Sequence, residues 1–349
     1  MMIIEPTGSA CGAVVKGIDL NNQVSNSKMG KLVWALYEHR CLVIKNQKLT
    51  KESYYKFASE WGELIKHVLD YLRMPDYPEM MAIGNTEEKD KDDAVRNGAA
   101  VWHTDGSYIE DPTTVTMLYA VHVPKTGGET LVADMVAAYE DLDPYLKDEL
   151  EKLTAKHYYG RAQFDPDEHR PVPIRTQQQA TTNAVCEKPL VLTHPVAGHK
   201  ALYAVAHSPF GINGKTKEET LSLLAKLKAH ATQSKFIYSH RYEVGDILLF
   251  DNLSTMHRAK EQTDAAKTPD SDNARLLWRL SAKGIPNIIK NSSKYFGSQC
   301  IVVAVDVKKD NSSWKVYSHG GTKNTYIDAL AWVKKVEDLG AGEIFIASM

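Results

Sequence analysis

Between Val101 and Ala282 the chain repeatedly builds a short apolar or alternating run and then breaks it. The runs include "TTVTMLYAVHVP", "LVADM", "KPLVLTHP", "KALYAVA", "GDILLFDNLSTMHRA" and "ARLLWRLSA", parted by turn-formers such as "KTGGET" and "VAGH". Segments of this length, bounded by turn-formers, read as strands. A doubly wound parallel sheet needs a helix between successive strands, so it is disfavoured as the core. Helices stand mainly ahead of the strands. "SKMGKLVWALYEHR" places Met29, Leu32, Val33 and Leu36 at helical spacing, and "LTKESYYKFASEWG" predicts a second helix ended by Gly62. A buried strand, "CLVIKNQ", lies between them. A capping box at Thr216 and Glu219 opens a later helix striped by Leu223, Leu224 and Leu227. The class is α+β or a β-sandwich, with a strand-built core in either case.

From Cys300 the pattern changes. "CIVVAVDVKK" is the continuous apolar strand of a parallel sheet, "YIDALAWVKKVEDLGAG" a helix, and "EIFIAS" a second buried strand. This is a β-α-β unit appended to something else, with the boundary near Gly284. Two domains are therefore expected, 1–284 and 285–349. Residues 165–189 are polar, proline-bearing and aperiodic, which suits a lid over a site.

The balance of charge narrows the partners. With 42 Lys and Arg against 44 Asp and Glu, the net charge of −2 offers nothing to nucleic acid or an anionic membrane. No apolar run reaches membrane-spanning length, and "MMIIEPTGSACG" has no signal-peptide pattern. Four scattered cysteines without a CxxC pair fit a reducing compartment. A cytoplasmic protein with a small-molecule partner is expected; whether it forms a homo-oligomer is left open.

Chemistry concentrates in "WHTDGSY". If this stretch is a strand, His103 and Asp105 share a face. His257, closing an apolar strand in "DNLSTMHRA", supplies a third ligand. Two imidazoles and a carboxylate on one face form the triad that leaves positions open on Fe(II) for a co-substrate and dioxygen. HxD alone is weak evidence, since most of the 13 histidines in such a chain are ordinary surface or core residues. Arg275, Leu277 and Arg279 share a strand face in "ARLLWRL". Buried arginines need anions; the same pair would equally suit an exposed edge strand. Pointing with His257 into one barrel mouth, an Arg would fork onto the far carboxylate of a metal-chelating dicarboxylate.

Taken together, "WHTDGSY…VPKTGGET" and "GDILLFDN…MHRA…RLLWR" closely resemble the taurine and chlorophenoxyacetate dioxygenase family of Fe(II)/2-oxoglutarate oxygenases, from "IEPTGSACGAVVKGIDL" to about Ala282. "HATQSKFIYSHRYEVGD" resembles its chlorophenoxyacetate branch. The resemblance implies a double-stranded β-helix, or jelly roll, flanked by helices. It matches His103, Asp105 and His257 to the iron ligands, and Thr130 and Arg275 to contacts of the 2-oxoglutarate carboxylate. Arg279 and His67 match residues facing an acidic substrate group. Asp70 stands where taurine-type enzymes carry a substrate-contacting tyrosine; a carboxylate there would repel a purely anionic substrate and welcome an amine. His257 to Arg275 spans 18 positions (275 − 257), longer than the family's usual gap, because "AAKTPDSDN" is inserted. The implied activity is a dioxygenase using Fe(II), 2-oxoglutarate and O2 to oxidise a small acidic substrate, by hydroxylation or carbon–heteroatom cleavage, with release of succinate and CO2. A non-catalytic metal-binding jelly roll is the alternative.

The tail resembles something else, a middle piece of the imidazole glycerol phosphate synthase cyclase subunit, a TIM barrel. Asp306, placed at the C-terminal end of its strand, matches one of that family's two catalytic aspartates. The strand bearing the other is missing, as are the phosphate-binding loops. The resemblance therefore implies a fusion remnant without cyclase activity; a histidine-biosynthesis cyclase relative is the remaining, weaker reading.

Overall fold

Turn-bounded strands dominate the computed structural model, which describes residues 1–67, 72–85, 98–159, 185–260, 271–284, 293, 297–310, 313–318 and 321–348. The first part runs β1 (Ile3–Pro6), β2 (Ala13–Lys16), α1 (Asn26–His39), β3 (Cys41–Ile44), α2 (Lys51–Ser59), β4 (Glu63–Leu64), β5 (Met81–Gly84), β6 (Thr113–His122), β7 (Thr130–Asp134), α3 (Met135–Glu140) and α4 (Pro144–Leu150). The middle continues as β8 (Thr154–His157), β9 (Cys186–Pro189), β10 (Val191–Thr193), β11 (Lys200–Leu202), β12 (Pro209–Ile212), α5 (Lys217–Ala231), β13 (Ile237–His240), β14 (Ile247–Asp251), β15 (Thr255–Ala259) and β16 (Leu276–Lys283). The chain divides into two compact units, Met1–Asn22 with Ala35–Gly284, and Gln23–Trp34 with Ile285–Met349. Among the described residues no helix is long and apolar enough to cross a membrane.

The helical expectations hold where the physics is local. Met29, Leu32, Val33 and Leu36 are buried along α1. Thr216 and Glu219 cap α5 reciprocally, with Leu224 and Leu227 buried beneath.

In the larger unit the strands form a β-rich jelly roll of two facing layers. One is a sheet of order β1-β2-β3-β14-β6-β16-β4, with β5 also on β16; the other is β13-β7-β15. Alternation along each strand explains why they face one another. Val132 of β7 and Tyr238 of β13 enter one cluster with Val43, Leu118, Ala120, Leu248, Phe250 and Leu277 of the large sheet. Their neighbours Ala133, Leu131 and Met256 turn the other way, toward α3 and α5. The small sheet is thus buried on both faces, and the space between the layers is where polar side chains must find partners.

Three expectations change here. "GDILLFDNLSTMHRA" is not one strand: β14 lies in the large sheet and β15 in the small one, because Asp251 caps the turn between them by accepting from Leu253 N and Ser254 Oγ. "WHTDGSY" is not a strand either, since only His103 makes an isolated bridge before a turn at Gly106 (φ +63°). Of the expected lid, 165–184 lies outside the described residues, and Cys186–Pro189 is strand β9.

In the second unit, β17 (Val302–Asp310), β18 (Ser313–Ser318), β19 (Lys323–Asp328), α6 (Ala329–Asp338) and β20 (Glu343–Ser348) form a sheet of order β19-β18-β17-β20. β17 and β20 pair in parallel, as a β-α-β reading requires. The unit is nevertheless more than β-α-β: "SWKVYS" and "KNTYID" add two antiparallel strands. Tyr326 and Ile327, expected in the helix, belong to β19, and Asp328 caps α6 by accepting from Leu330 N and Ala331 N. Asp306 sits inside β17, four residues short of its end, rather than at its C-terminal tip.

β5 approaches β16 so closely that only glycine fits at position 84. Gly84 has φ +149°, and a Cβ there would stand 1.9 Å from the Arg275 carbonyl oxygen. Gly84→Ala is expected to cost at least about 1–3 kcal/mol of stability, read as a lowered urea midpoint; an unchanged midpoint would contradict this packing.

Candidate metal centre

Two backbone hydrogen bonds assemble the centre. His103 N donates to His257 O (3.0 Å) and His257 N to His103 O (2.9 Å), clipping the "HTDGS" turn to β15. The turn then swings Asp105 back beneath both imidazoles. Gly106 makes this return close enough: a Cβ there would meet Thr113 Oγ1 at 2.1 Å. One ligand-capable atom from each of His103, Asp105 and His257 lies within 4.8 Å of the others. Nε2 of His103 is 3.7 Å from Asp105 Oδ1, and Nε2 of His257 is 3.7 Å from Oδ2. The grouping expected from sequence is therefore present, brought about by a bridge and a turn rather than by strand alternation.

The donor set fits a divalent first-row metal. His103 Nδ1 lies 2.8 Å from the Val101 carbonyl, which can only accept. That contact places an N–H on Nδ1 and leaves Nε2 as the atom nearest Asp105. Burial, and then His103, hold His257 well below the usual histidine range. Burial opposes the charge of Asp105, yet Arg279 and then the imidazoles hold its carboxyl well below the usual carboxylate range. Two imidazoles and one carboxylate suit Fe(II) better than they suit the ions that prefer all-oxygen ligands.

Tyr242 links Thr130 and Arg275. Thr130 Oγ1 and the Tyr242 hydroxyl are 2.9 Å apart, Arg275 lies over the Tyr242 ring at 5.8 Å, and Arg275 Nε donates to Gly128 O (3.1 Å). Arg275 is 5% exposed. Arg279 has a partner that the sequence did not suggest: its Nη2 lies 2.9 Å from Asp105 Oδ2, an ion pair with a member of the triad. His67 reaches the same region through aromatic contacts. Its ring is 6.2 Å from Tyr159, which is 4.8 Å from Tyr108, and both tyrosines lie near enough to act on the Arg279 charge. Arg73 donates to the His67 carbonyl. Asp70 lies outside the described residues.

Sequence reasoning missed Tyr242, Tyr159, Tyr108 and His207. The last is a fourth imidazole, 6.1 Å from the His103 ring, held at φ +69°. Tyr108 and Tyr242 lie within stretches quoted above, "WHTDGSY" and "HATQSKFIYSHRYEVGD"; Tyr159 and His207 follow no motif, and only the folded topology brings them in.

Beneath the turn runs a buried polar chain. His157 Nδ1 lies 2.9 Å from Ser208 Oγ, Ser208 Oγ lies 2.7 Å from Ser107 Oγ, and Ser107 Oγ donates to Thr104 O. Burial, with Lys188 adding repulsion, pushes the His157 pKa down to about 3.

Comparison with known proteins adds the following. The family described as taurine catabolism dioxygenase TauD, TfdA family matches residues 4–281, and that described as histidine biosynthesis protein matches residues 261–349. The chain is 32% identical over 281 residues to the alpha-ketoglutarate-dependent 2,4-dichlorophenoxyacetate dioxygenase of Cupriavidus pinatubonensis, covering 76% of this chain and 94% of the relative. It is 31% identical over 295 residues to the (S)-phenoxypropionate/alpha-ketoglutarate-dioxygenase of Sphingobium herbicidovorans, covering 81% and 95%. Among solved structures, a taurine dioxygenase from Burkholderia xenovorans superposes with TM-score 0.64 at 27% identity, covering 81% of this chain and 89% of that one. AAD-2, in complex with Mn(II) and N-oxalylglycine, gives 0.64 at 26% identity, covering 81% and 98%.

His157 generates a prediction about acid. It stays neutral when folded, down to about pH 3, but takes a proton near 6.5 when unfolded. The unfolded state therefore binds more protons below 6.5, and stability falls as pH drops from 6.5 toward 3, by about 1.4 kcal/mol per unit. His157→Gln should flatten the acid limb of the unfolding free energy by about one proton; an unchanged slope would show that this histidine does not carry it.

Proposed function

The chain belongs to the taurine catabolism dioxygenase TauD, TfdA family, and from that premise we propose that His103, Asp105 and His257 hold its Fe(II) while Arg275 and Thr130 hold 2-oxoglutarate. It is an Fe(II)- and 2-oxoglutarate-dependent dioxygenase, an oxidoreductase acting on a small organic substrate. The observation that carries the residue assignment is convergence: three metal-ligand atoms within 4.8 Å of one another, lying between two sheets that also present the buried Arg275 and Thr130.

The chemistry that bound Fe(II) supplies is the use of dioxygen to decarboxylate 2-oxoglutarate to succinate and CO2 and to oxidise the substrate. The protein's own part is placement. Arg275 presents a planar fork to the distal carboxylate of the co-substrate. Tyr242, fixed against Thr130, holds that hydroxyl where it can donate to the same carboxylate. Phe250, whose ring lies 4.1 Å from that of His257, and the apolar cluster between the sheets exclude water. Arg279 and His67 are assigned to an acidic substrate group, which would share the Arg279 guanidinium with Asp105. Tyr108 and Tyr159 support an apolar or aromatic body on that substrate.

Residues 285–349 are assigned to a fragment related to histidine-biosynthesis barrels, without a chemical role. The family match over 261–349 and the parallel β17–β20 pair support this; two parallel strands cannot close a barrel. Cysteines without disulfides support a reducing, cytoplasmic setting.

Anaerobic Fe(II) titration in the presence of 2-oxoglutarate tests the centre. A visible absorption band is expected in the wild type and none in His103→Ala; an equal band in both would sink the ligand assignment. Arg275→Ala should raise the 2-oxoglutarate requirement at least about tenfold, since truncating one partner of a buried charge pair costs about 2–5 kcal/mol. Decarboxylation triggered by small carboxylates and sulfonates, and not by neutral analogues, is the outcome expected of the Arg279 pocket. Removing residues 285–349 should leave turnover per folded molecule intact, and loss of turnover in soluble, folded protein would give the tail a part in the chemistry.

A further inference from the structure

Asp105 is held from behind by a hydrogen-bond relay whose direction can be read atom by atom. Thr116 Oγ1 lies 2.8 Å from Asp105 Oδ2. Asn252 Nδ2 lies 3.0 Å from Thr116 Oγ1, and its Oδ1 accepts from Asp105 N at 3.3 Å. Ser281 Oγ lies 3.0 Å from Thr116 Oγ1, on a residue directly opposite Thr116 across the β16–β6 ladder. Thr116 and Asn252 are wholly buried and Ser281 nearly so.

An amide N–H can only donate, so the Asp105 N–H fixes which end of the Asn252 side chain is oxygen. Its Nδ2 must then donate to Thr116. An ionised carboxylate can only accept, so the single Thr116 proton goes to Asp105. That leaves Ser281 donating to Thr116. Each hydroxyl proton in the cluster thus has one place to go, and the relay ends on one carboxylate oxygen, Oδ2. The same oxygen takes Arg279, while Oδ1 has His103 as its neighbour.

We infer that Thr116, oriented by Asn252 and Ser281, is a positioning residue that sets the rotation of the Asp105 carboxylate toward the metal. This rests on the proposed assignment of Asp105 as a ligand. Partners behind a ligating carboxylate typically change metal affinity about 10–100-fold when removed.

The test is anaerobic Co(II) titration followed by the visible ligand-field band, with thermal unfolding alongside. Thr116→Val, which keeps the shape and deletes the proton, should bind Co(II) at least about tenfold more weakly, with a shifted band. Thr116→Ser should restore both affinity and band. Ser281→Ala, which removes one donor to Thr116 and leaves its hydroxyl in place, should weaken binding in the same direction by less. Wild-type affinity in Thr116→Val, failure of Thr116→Ser to restore it, or no effect of Ser281→Ala if Thr116→Val does not fold would each overturn the inference. If the wild type binds Co(II) no better than His103→Ala, the ligand assignment itself fails; tight wild-type binding unaffected by Thr116→Val removes only the relay.

Discussion

Asp105 carries a full negative charge into the space between two sheets, where it is only 8% exposed. An isolated carboxylate there would cost far more than a protein's marginal stability allows, so the surroundings are committed to it. Arg279 supplies the countercharge, Thr116 a hydroxyl, Asn252 an acceptor for its N–H, and two imidazoles complete the shell. Each of these groups comes from a different segment: β16, β6, the turn after β14, the bridge residue His103 and β15. The carboxylate is therefore a tie between elements, and the two sheets could not slide past one another without leaving it unsatisfied.

The division of labour between the layers follows. The small sheet brings His257 and Thr130 on the inward face of β15 and β7, with α3 and α5 covering its back. The large sheet brings Thr116 and Arg279, and Arg275 stands just before β16 rather than on its ladder, so the two arginines do not share a strand face as their spacing suggested. Because side chains alternate on both, each polar inward position is flanked by apolar neighbours such as Val132, Leu118 and Leu277, which keep water out and strengthen every charge interaction inside.

Legibility in the sequence tracked how local the physics was. Helical stripes and the Thr216–Glu219 cap depend on residues three and four apart, and they were readable. His103 and Asp105 were paired on strand alternation, but they converge through a backbone bridge to His257 and a glycine turn; the spacing pointed to the right residues by the wrong route. Arg279 was read as facing substrate, and nothing local could show that Asp105 stands 2.9 Å away across the layers. Tyr242 and His207 are ordinary residues in the sequence, and only sheet register makes them neighbours of the centre. In the tail, "SWKVYS" and "KNTYID" intersperse polar residues among their apolar ones, so neither has the continuous apolar run by which buried parallel strands are recognised.

The register of β16 against β6 shifts twice, between Leu276 and Leu277 and again between Ala282 and Lys283, and is regular in between. Within that stretch Arg279 lies opposite Leu118 and Ser281 opposite Thr116, so one residue gained or lost there would turn every inward group outward. Arg275 lies before the first of these shifts and is placed instead by Asn85, whose N–H donates to its carbonyl and whose Oδ1 accepts from its N–H. The two arginines are thus positioned by separate constraints, one a ladder and the other a side-chain clasp, so a change that moves one need not move the other.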